Sequence, residues 1–343
     1  MPPPPVAPLL LALDGNSLLY RAYHAAATGF LLDADDRPVW AIKGLVGYLA
    51  RAAARLRPQA VLVGFDCPDS SVRKTQFPHY KAQRPDKAAD LAEQIVAAPG
   101  LLRAAGVPVA VPAGLEADDV LASAAAHARA AGWRSVLMTS DRDAFALIDA
   151  TTSVLRVRNG GFDEAVMVTP DALADVYGIT PGQYRDYAAM RGDPADNLRG
   201  VPGVGGAKSA ALIAAFGEVD AVWAAADRGD LDALRAVVGD AAAARLVEPA
   251  ARAEVERNRV IMAMHADVPL PDIDRLRLPL DRARMRAALL ARGIRLGPSL
   301  WALTGAAPPA GEADPAAYVP RQWRFNRGLR GDRQPIPGQL ALF

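Results

Sequence analysis

LLLALD, residues Leu9–Asp14, is a short and continuous apolar run that stops at an aspartate. Two further runs have the same design, since AVLVGFD ends at Asp66 and SVLMTSD ends at Asp141. Unbroken apolar runs of this length are typical of strands that are buried on both faces of a parallel sheet. The three runs therefore predict parallel strands, each followed by a carboxylate.

Segments rich in Ala and Leu separate these runs, among them Ala41–Leu56 and Glu116–Gly132. Strands that alternate with helices predict an α/β fold with a doubly wound parallel sheet, in which ligands gather beyond the carboxyl ends of the strands. From about Pro170 the patterns become helical, and from Ala306 the composition resembles a linker. We therefore predict an α/β domain over residues 1–175, a helical domain over residues 176–305 and a flexible tail over residues 306–343.

The overall charge gives little guidance about partners. Lys and Arg number 39 against 38 Asp and Glu, which argues weakly against a nucleic-acid binder unless the charges are segregated. The single cysteine, Cys67, favours a reducing compartment. The apolar N-terminal run lacks a basic region before it and ends at Asp14, so we expect a cytoplasmic protein without a membrane span.

Acidic residues are concentrated at the predicted strand ends and turns. If they converge, their mutual repulsion requires cations, and an oxygen-rich set of ligands suits Mg²⁺ or Mn²⁺ rather than zinc. Taken singly, each aspartate could instead be a helix cap or a turn former. The candidate metal ligands are Asp14, Asp66, Glu116, Asp118, Asp119, Asp141, Asp143, Asp193 and Asp196.

A basic segment, VRKTQFPHYKAQRPDK (Val72–Lys87), follows Asp66 and contains interleaved aromatic residues. Cations hold phosphates and aromatic rings stack on bases, so this segment suits a phosphodiester substrate. The alternative is a solvated loop. The candidate contacts in the segment are Arg73, Lys74, Tyr80, Lys81 and Arg84.

A glycine-rich turn, GVPGVGGAKSAALI (Gly200–Ile213), precedes a predicted helix. Its spacing does not fit a P-loop, and no strand precedes it as in a dinucleotide fingerprint. A helix-hairpin-helix that grips a DNA backbone fits, because glycines allow close approach and a helix N-terminus offers free N–H groups. A tight structural turn is the alternative. The candidate contacts are Gly203, Gly205, Gly206, Lys208 and Ser209.

Together these motifs resemble the bacterial 5′-nuclease family, which comprises the 5′-3′ exonuclease domain of DNA polymerase I and the related flap endonucleases. The motifs are LDGNSLLYRAYHA, FD followed by VRKTQFPHYKAQRP, GLEADDVLA, TSDRDAFAL and AMRGDPADNLRGVPGVGGAKSA. The resemblance implies a PIN-like parallel sheet with a helical arch and a helix-3-turn-helix region. It also implies that all nine acidic residues serve two Mg²⁺ (or Mn²⁺) ions.

The same resemblance assigns roles to the basic residues and to the turn. It implies that Lys81 and Arg84 flank the scissile phosphate, that Arg73 is another phosphate contact, and that a K⁺ ion can bridge the Gly203–Lys208 turn to the duplex. One departure from the family is the pair Pro99-Gly100, which predicts a kink where a helix of the arch should run.

The expected function is cleavage at 5′ flaps, nicks or 5′ ends of DNA, including RNA–DNA primers, by a two-metal mechanism. A PIN-type ribonuclease would share the carboxylates but would not need the glycine-rich turn. A structure-specific DNA-binding protein without cutting activity would be expected to have lost carboxylates. We expect a monomer that acts in replication or repair.

The last residues read PGQLALF, and we expect a stand-alone nuclease without a polymerase domain. QLALF resembles the pentapeptide that binds the bacterial sliding clamp, in which apolar side chains fill a groove. The alternative is a chance pattern that packs on its own domain. The candidate clamp contacts are Gln339, Leu340, Leu342 and Phe343.

Overall fold

Seven strands form the main sheet in a computed structural model that describes residues 7–25, 31–309 and 321–322. They are β1 (Leu9–Asp14), β2 (Ala60–Gly64), β3 (Val109–Ala110), β4 (Arg134–Thr139), β5 (Thr152–Arg158), β6 (Gly161–Val168) and β9 (Arg321–Gln322). Their order in space is β3-β2-β1-β4-β5-β6-β9. Two short strands, β7 (Gly192–Asp193) and β8 (Leu198–Arg199), form a separate antiparallel hairpin.

The central strands are parallel, as the sequence predicts. β1 pairs with β2 on one side and with β4 on the other. Alternate side chains of β1 enter different cores, since Leu10 and Ala12 join one cluster while Leu11 and Leu13 join the other. Burial on both faces is the physical reason why the run is apolar throughout.

The sheet is not parallel throughout, which corrects the sequence-based expectation. β6 runs antiparallel to β5 because the chain reverses in a tight turn after Arg158. Gly160 and Gly161 at this turn have φ of +97° and +81°, a left-handed conformation that glycine adopts without steric cost. A hairpin of this kind needs no crossover helix, so the alternation of strands and helices ends here.

Fourteen helices surround the sheet and build the second half of the described chain. They are α1 (Gly15–Ala25), α2 (Trp40–Leu56), α3 (Val72–Gln76), α4 (Ala89–Ala104), α5 (Ala117–Ala130), α6 (Pro170–Tyr177), α7 (Tyr184–Arg191), α8 (Gly206–Phe216), α9 (Val219–Asp227), α10 (Leu231–Val238), α11 (Asp240–Leu246), α12 (Pro249–Ile261), α13 (Arg282–Leu290) and α14 (Trp301–Thr304).

Helix α4 continues through the Pro99-Gly100 pair and ends at Ala104, so the helix is not interrupted there. Leu101 and Leu102, directly after the pair, are buried in the core. Their burial compensates for the backbone hydrogen bond that proline removes. The segment expected to form the arch comprises the short helix α3, a turn around residues 77–84 and this helix.

One hydrophobic core joins the sheet to the helical half of the described chain. The same cluster contains Val120 of α5, Phe145 beyond β4, Tyr184 of α7 and Trp223 of α9. Helices α7 and α9 are therefore packed into the core on one face of the sheet, whereas Met285 of α13 and Leu303 of α14 join the cluster on the other face.

No single described helix is long and apolar enough to cross a membrane. Helices α8 and α9 pass that test only as a pair bent by 79°, on length and composition alone. The clamp-like residues Gln339 to Phe343 lie outside the residues that the structure describes.

Candidate active site

Asp14 stands at the end of β1 and is fixed by its neighbours in the sheet. Its Oδ1 accepts a hydrogen bond from the Ser17 backbone N–H at 2.9 Å, and its Oδ2 accepts one from Thr139 Oγ1 at 2.9 Å. Thr139 ends the adjacent strand β4. Parallel pairing therefore brings the residues that follow β1 and β4 to the same edge of the sheet.

The N-terminus of α5 lies at the same edge. Asp66, just beyond β2, accepts a hydrogen bond from the Ala117 N–H at 2.8 Å. Glu116 is the N-cap of α5 and forms a capping box with Asp119. Free N–H groups at a helix N-terminus favour carboxylates, so this contact sets Glu116 and Asp118 beside the strand ends.

Two further elements complete the acidic cluster. Asp141 Oδ1 accepts a hydrogen bond from the Asp143 N–H at 2.9 Å in the turn after β4. The β7–β8 hairpin contributes Asp193 and Asp196, which are close enough to Asp143 to raise the pKa of its carboxyl group. Carboxylates far apart in sequence thus lie at one edge of the sheet, whereas Asp119, which was also predicted as a ligand, pairs with Arg73.

The cluster is electrostatically strained without cations. Burial, followed by the charges of Asp66 and Asp141, raises the pKa of Asp14 from 3.8 to about 7. Burial and neighbouring carboxylates also raise the pKa of Asp118 and of Asp143 well above the usual range. Among the described residues, Asp118 Oδ1 and Asp143 Oδ1 are buried oxygens with no hydrogen-bond partner. Buried oxygens of this kind are normally satisfied, and divalent cations would satisfy them.

Two basic side chains neutralise part of this charge. Lys81 Nζ lies 3.0 Å from Glu116 Oε2, and the Arg84 guanidinium forms an ion pair with Asp196. Burial opposes ionisation of Glu116, but Lys81 and Arg73 lower the pKa of Glu116 below its usual value. Lys81 has a φ of +57°, and its N–H donates to Asp196 O at 3.0 Å. The backbone is thus held in an uncommon conformation that places Lys81 and Arg84 in the cluster.

Tyr80 is not placed for the base stacking that the sequence predicts. The residue is only 7% exposed, and its hydroxyl donates to Glu116 Oε2 at 3.2 Å. The Lys81 ammonium lies 4.6 Å from the centre of the ring. Tyr80 supports the lysine and the glutamate from inside the protein, whereas Lys74 on α3 is exposed and free to meet a phosphate.

Arg73 and Asp119 form a buried ion pair with each other. Nη1 and Nη2 of Arg73 donate to the two Asp119 oxygens at 2.7 and 2.6 Å. Nη2 also donates to Ala263 O, and Nε donates to Ile261 O. Both residues are buried. This geometry contradicts the expectation that Asp119 is a metal ligand and that Arg73 contacts phosphate, because each polar group is already bonded inside the protein.

The glycine-rich turn precedes α8, as expected. Gly203 has a φ of +78°, and Gly205 is the N-cap residue of the helix. A side chain at Gly203 or Gly205 would meet open space, so both face outward, and Lys208 is partly exposed. Ser209 is the exception. Its side chain is fully buried and its Oγ faces no partner among the described residues, which contradicts a role in DNA contact.

Three residues of the site were not predicted from the sequence. Thr139 Oγ1 donates to the carboxylate of Asp14, and Ser17 Oγ accepts from the Ser140 N–H, just beyond β4. Arg191 lies 3.8 Å from Asp193 and stacks over Tyr187. The sequence signals only that Thr139 carries a hydroxyl two residues before Asp141 and that Ser17 carries one three residues after Asp14.

The carboxylate oxygens of the cluster fit a divalent cation in their chemistry, but their present spacing does not form a set of ligands. Within residues 7–25, 31–309 and 321–322, no group of three or more acidic, His or Cys side chains is spaced to hold an ion as it stands. Lys81 and Arg84 instead form ion pairs with two of the carboxylates, Glu116 and Asp196. Hard oxygen donors, two of them without partners, suit Mg²⁺ or Mn²⁺.

A buried carboxylate cluster at the carboxyl edge of a parallel sheet, paired with basic side chains and flanked by a glycine-rich turn, places the chain in the class of α/β nucleases. Comparison with known proteins narrows this class. Residues 9–178 match the model of the 5′-3′ exonuclease N-terminal resolvase-like domain, and residues 179–283 match that of the 5′-3′ exonuclease C-terminal SAM fold. The chain belongs to the 5′-3′ exonuclease family.

Among curated relatives, DNA polymerase I of Mycobacterium bovis is 37% identical over 278 residues, which cover 80% of this chain and 29% of the relative. The thermostable DNA polymerase I of Thermus aquaticus is 30% identical over 305 residues, covering 88% of this chain and 35% of the relative. The chain thus spans about a third of the length of these relatives.

Solved structures share the fold. The T5 D15 protein co-crystallised with metal ions has a TM-score of 0.59 at 19% identity, covering 83% of this chain and 99% of that one. The catalytic core of Rad2 in complex with DNA has a TM-score of 0.54 at 16% identity, covering 87% and 92%. The PIN-like and helical architecture expected from the sequence is confirmed.

Proposed function

We propose that the protein is a structure-specific 5′-nuclease that hydrolyses phosphodiester bonds at 5′ flaps, nicks or 5′ ends of DNA. The observation that carries the proposal is the convergence of Asp14, Asp118 and Asp143, whose pKa values are all raised by burial and by like charges. Such a cluster is unstable unless cations bind it, and Lys81 and Arg84 stand beside it.

The side chains of the chain divide into two groups by role. The cations would be held by Asp14, Asp66, Glu116, Asp118, Asp141, Asp143, Asp193 and Asp196. When bound, two Mg²⁺ or Mn²⁺ ions would supply the charge that activates water and stabilises the leaving oxygen. Lys81 and Arg84 would exchange their carboxylate partners for the scissile phosphate and stabilise the negative charge that develops on it.

Hydrolysis adds the oxygen of one water to phosphorus and breaks the bond from phosphorus to the 3′ oxygen. The proton from water ends on that oxygen, which leaves as a 3′-hydroxyl on the released flap or nucleotide. The retained strand keeps a 5′-phosphate. No side chain is assigned as the general base.

The outward-facing turn before α8 would hold the duplex next to the acidic cluster. Gly203 and Gly205 leave the backbone open to a phosphate, and Lys208 adds a cation. A K⁺ ion shared between backbone carbonyls of the turn and a phosphate fits the same geometry. Lys74 of α3, which is exposed, would meet a further phosphate of the DNA backbone.

The decisive assay is cleavage of a labelled 5′-flap duplex by the purified protein with Mg²⁺ or Mn²⁺. We expect the wild type to cut near the flap base and Asp141→Ala to lose at least about 100-fold in rate. Asp163→Ala is the matched control, because Asp163 is an exposed aspartate on β6 that pairs with Arg51 of α2. A wild type that binds the flap but never cuts it would favour the non-cutting alternative instead.

Single-stranded RNA, offered alongside the flap, separates the remaining alternative. A PIN-type ribonuclease would cut the RNA and be indifferent to substitutions in the Gly203 turn. The proposed nuclease prefers the flap and weakens when that turn is changed. An RNA–DNA primer with a 5′ flap should be a substrate as well, since the contacts are to phosphates.

The sequence QLALF would bind the bacterial sliding clamp and bring the nuclease to replication or repair sites. Deletion of residues 339–343 should abolish clamp capture and leave flap cleavage by the free enzyme intact. Ala341→Ser is the matched control, because position 341 is the unspecified position of the motif. Clamp capture that survives the deletion would refute this role.

The proposed enzyme would act as a monomer in the cytoplasm. The single cysteine supports a reducing compartment. Sedimentation of the purified protein, with and without a flap substrate, tests the monomeric state.

A further inference from the structure

The acidic cluster is built from two parts of the chain that belong to different matched domains. Asp14, Asp118 and Asp143 come from the sheet and its neighbouring helix, whereas Asp193 and Asp196 come from the β7–β8 hairpin. Ligands that share cations must keep a fixed separation to within a fraction of an ångström. Something must therefore fix the hairpin relative to the sheet.

Helix α12 contacts both ends of the hairpin through one residue. Asn258 is fully buried, and its Nδ2 donates to Ala189 O at 3.0 Å and to Arg199 O at 2.7 Å. Ala189 precedes the hairpin on α7, and Arg199 is its last residue. One amide group thus joins the two arms of the hairpin that carries Asp193 and Asp196.

The C-terminal end of α12 is fastened to the other part of the cluster. Arg73 donates to Ile261 O at 2.9 Å and to Ala263 O at 2.6 Å, while it also holds both oxygens of Asp119. Asp119 in turn accepts from the Glu116 N–H at 2.9 Å and the His265 N–H at 2.8 Å. The end of α12 is therefore tied to the first turn of α5, from which Glu116 and Asp118 project.

A second tie lies one turn further along α5. Ser123 Oγ donates to His265 O at 3.2 Å and accepts from the Val268 N–H at 2.9 Å. Asp119 and Ser123 are four residues apart and share one face of the helix. Both side chains are buried, so the segment after α12 runs along α5 over at least one full turn.

We propose that α12 is a strut that sets the spacing between the two parts of the acidic cluster, with Asn258 as the positioning residue at the hairpin and the Arg73–Asp119 pair as the positioning residues at α5. Asp119 then acts through Arg73 and through the backbone of residues 261–265, not as a ligand. This inference rests on the proposed function for its consequence in catalysis, but its geometry and its metal-binding test are independent of cleavage.

The substitution that tests the strut is Asn258→Leu, which keeps a similar volume and removes both hydrogen bonds. Loss of residues that orient metal ligands weakens metal binding by about 10- to 100-fold. We expect Mn²⁺ binding, measured by electron paramagnetic resonance without DNA, to weaken to this degree. Flap binding in EDTA should stay within about twofold, because the exposed turn and the basic segment are untouched.

Gln94→Met is the matched control. Gln94 is also a fully buried amide, and its Oε1 accepts from the Ala41 and Ile42 N–H groups at the start of α2, in the other core. Its loss should lower the melting temperature but leave Mn²⁺ affinity unchanged. Equal Mn²⁺ affinity for wild type and Asn258→Leu, or an equal loss in both variants, would overturn the strut.

The α5 end is tested by Arg73→Met, Asp119→Leu and the double variant, which removes both buried charges together. If the pair acts as a unit, the double variant binds Mn²⁺ no more weakly than either single one. If Asp119 were a ligand, Asp119→Leu alone would weaken Mn²⁺ binding and Arg73→Met would not, which would refute its role in the strut. A wild type that binds Mn²⁺ but does not cut flaps would refute only the proposed function.

Discussion

Replacement of Asp14 by asparagine should stabilise the protein when metal ions are removed, although Asp14 lies at the centre of the site. In the metal-free fold, burial and then the charges of Asp66 and Asp141 raise the pKa of Asp14 from 3.8 to about 7. An unfolded chain carries no such penalty, so its aspartate ionises near the ordinary value. The folded state is thus penalised wherever the unfolded carboxyl is ionised.

The sign and size of the effect follow from proton linkage. Between pH 3.8 and about 7 the folded state binds a proton that the unfolded state has released, so stability falls as pH rises. Above about pH 7 the penalty reaches its full value of about 4 kcal/mol, an upper estimate. Asparagine removes it but weakens the bond from Thr139, which costs about 1 kcal/mol. The expected net gain is about 3 kcal/mol at pH 8 and under about 1 kcal/mol at pH 5.

Thermal unfolding in EDTA measures this gain. At pH 8, Asp14→Asn should melt at least about 5 °C above the wild type, and at pH 5 the two should nearly coincide. Added Mg²⁺ should reverse the order, because the wild type then gains binding energy that the variant lacks. If the variant melts lower than the wild type in EDTA at pH 8, the cluster is not strained and the reasoning is wrong.

Three further outcomes test the basic residues and the turn. Lys81→Ala should reduce single-turnover flap cleavage by about 100- to 1,000-fold, whereas Lys43→Ala, which removes an exposed lysine on α2, should have no effect. Tyr80→Phe should lower the same rate by less than about tenfold, because one hydrogen bond to Glu116 is lost, and a larger loss would mean that the hydroxyl meets the substrate. Gly203→Ala should destabilise the turn by about 1 kcal/mol, since φ is +78° there, and should weaken duplex binding in a fluorescence titration; unchanged binding would remove the turn from the DNA contact.

The sequence by itself determined the sheet and the position of most site residues. The three apolar runs became β1, β2 and β4 because burial on both faces requires apolar residues at every position. Asp14, Asp66 and Asp141 then had to meet, because the carboxyl ends of parallel strands lie at one edge. The antiparallel β6 was not foreseen, because a hairpin turn depends on the backbone angles of two glycines.

Only the tertiary structure decided which of the polar residues are available to cations or substrate in the acidic cluster. Asp118 and Asp119 are neighbours in sequence, yet one has a buried oxygen without a partner among the described residues and the other is fully bonded to Arg73. Tyr80 and Ser209 also point into the protein. Sequence spacing gives the element on which a side chain lies. The direction of the side chain, and thus its partner, depends on contacts such as those from Arg73 on α3 to the end of α12, which join residues 188 and 190 positions apart.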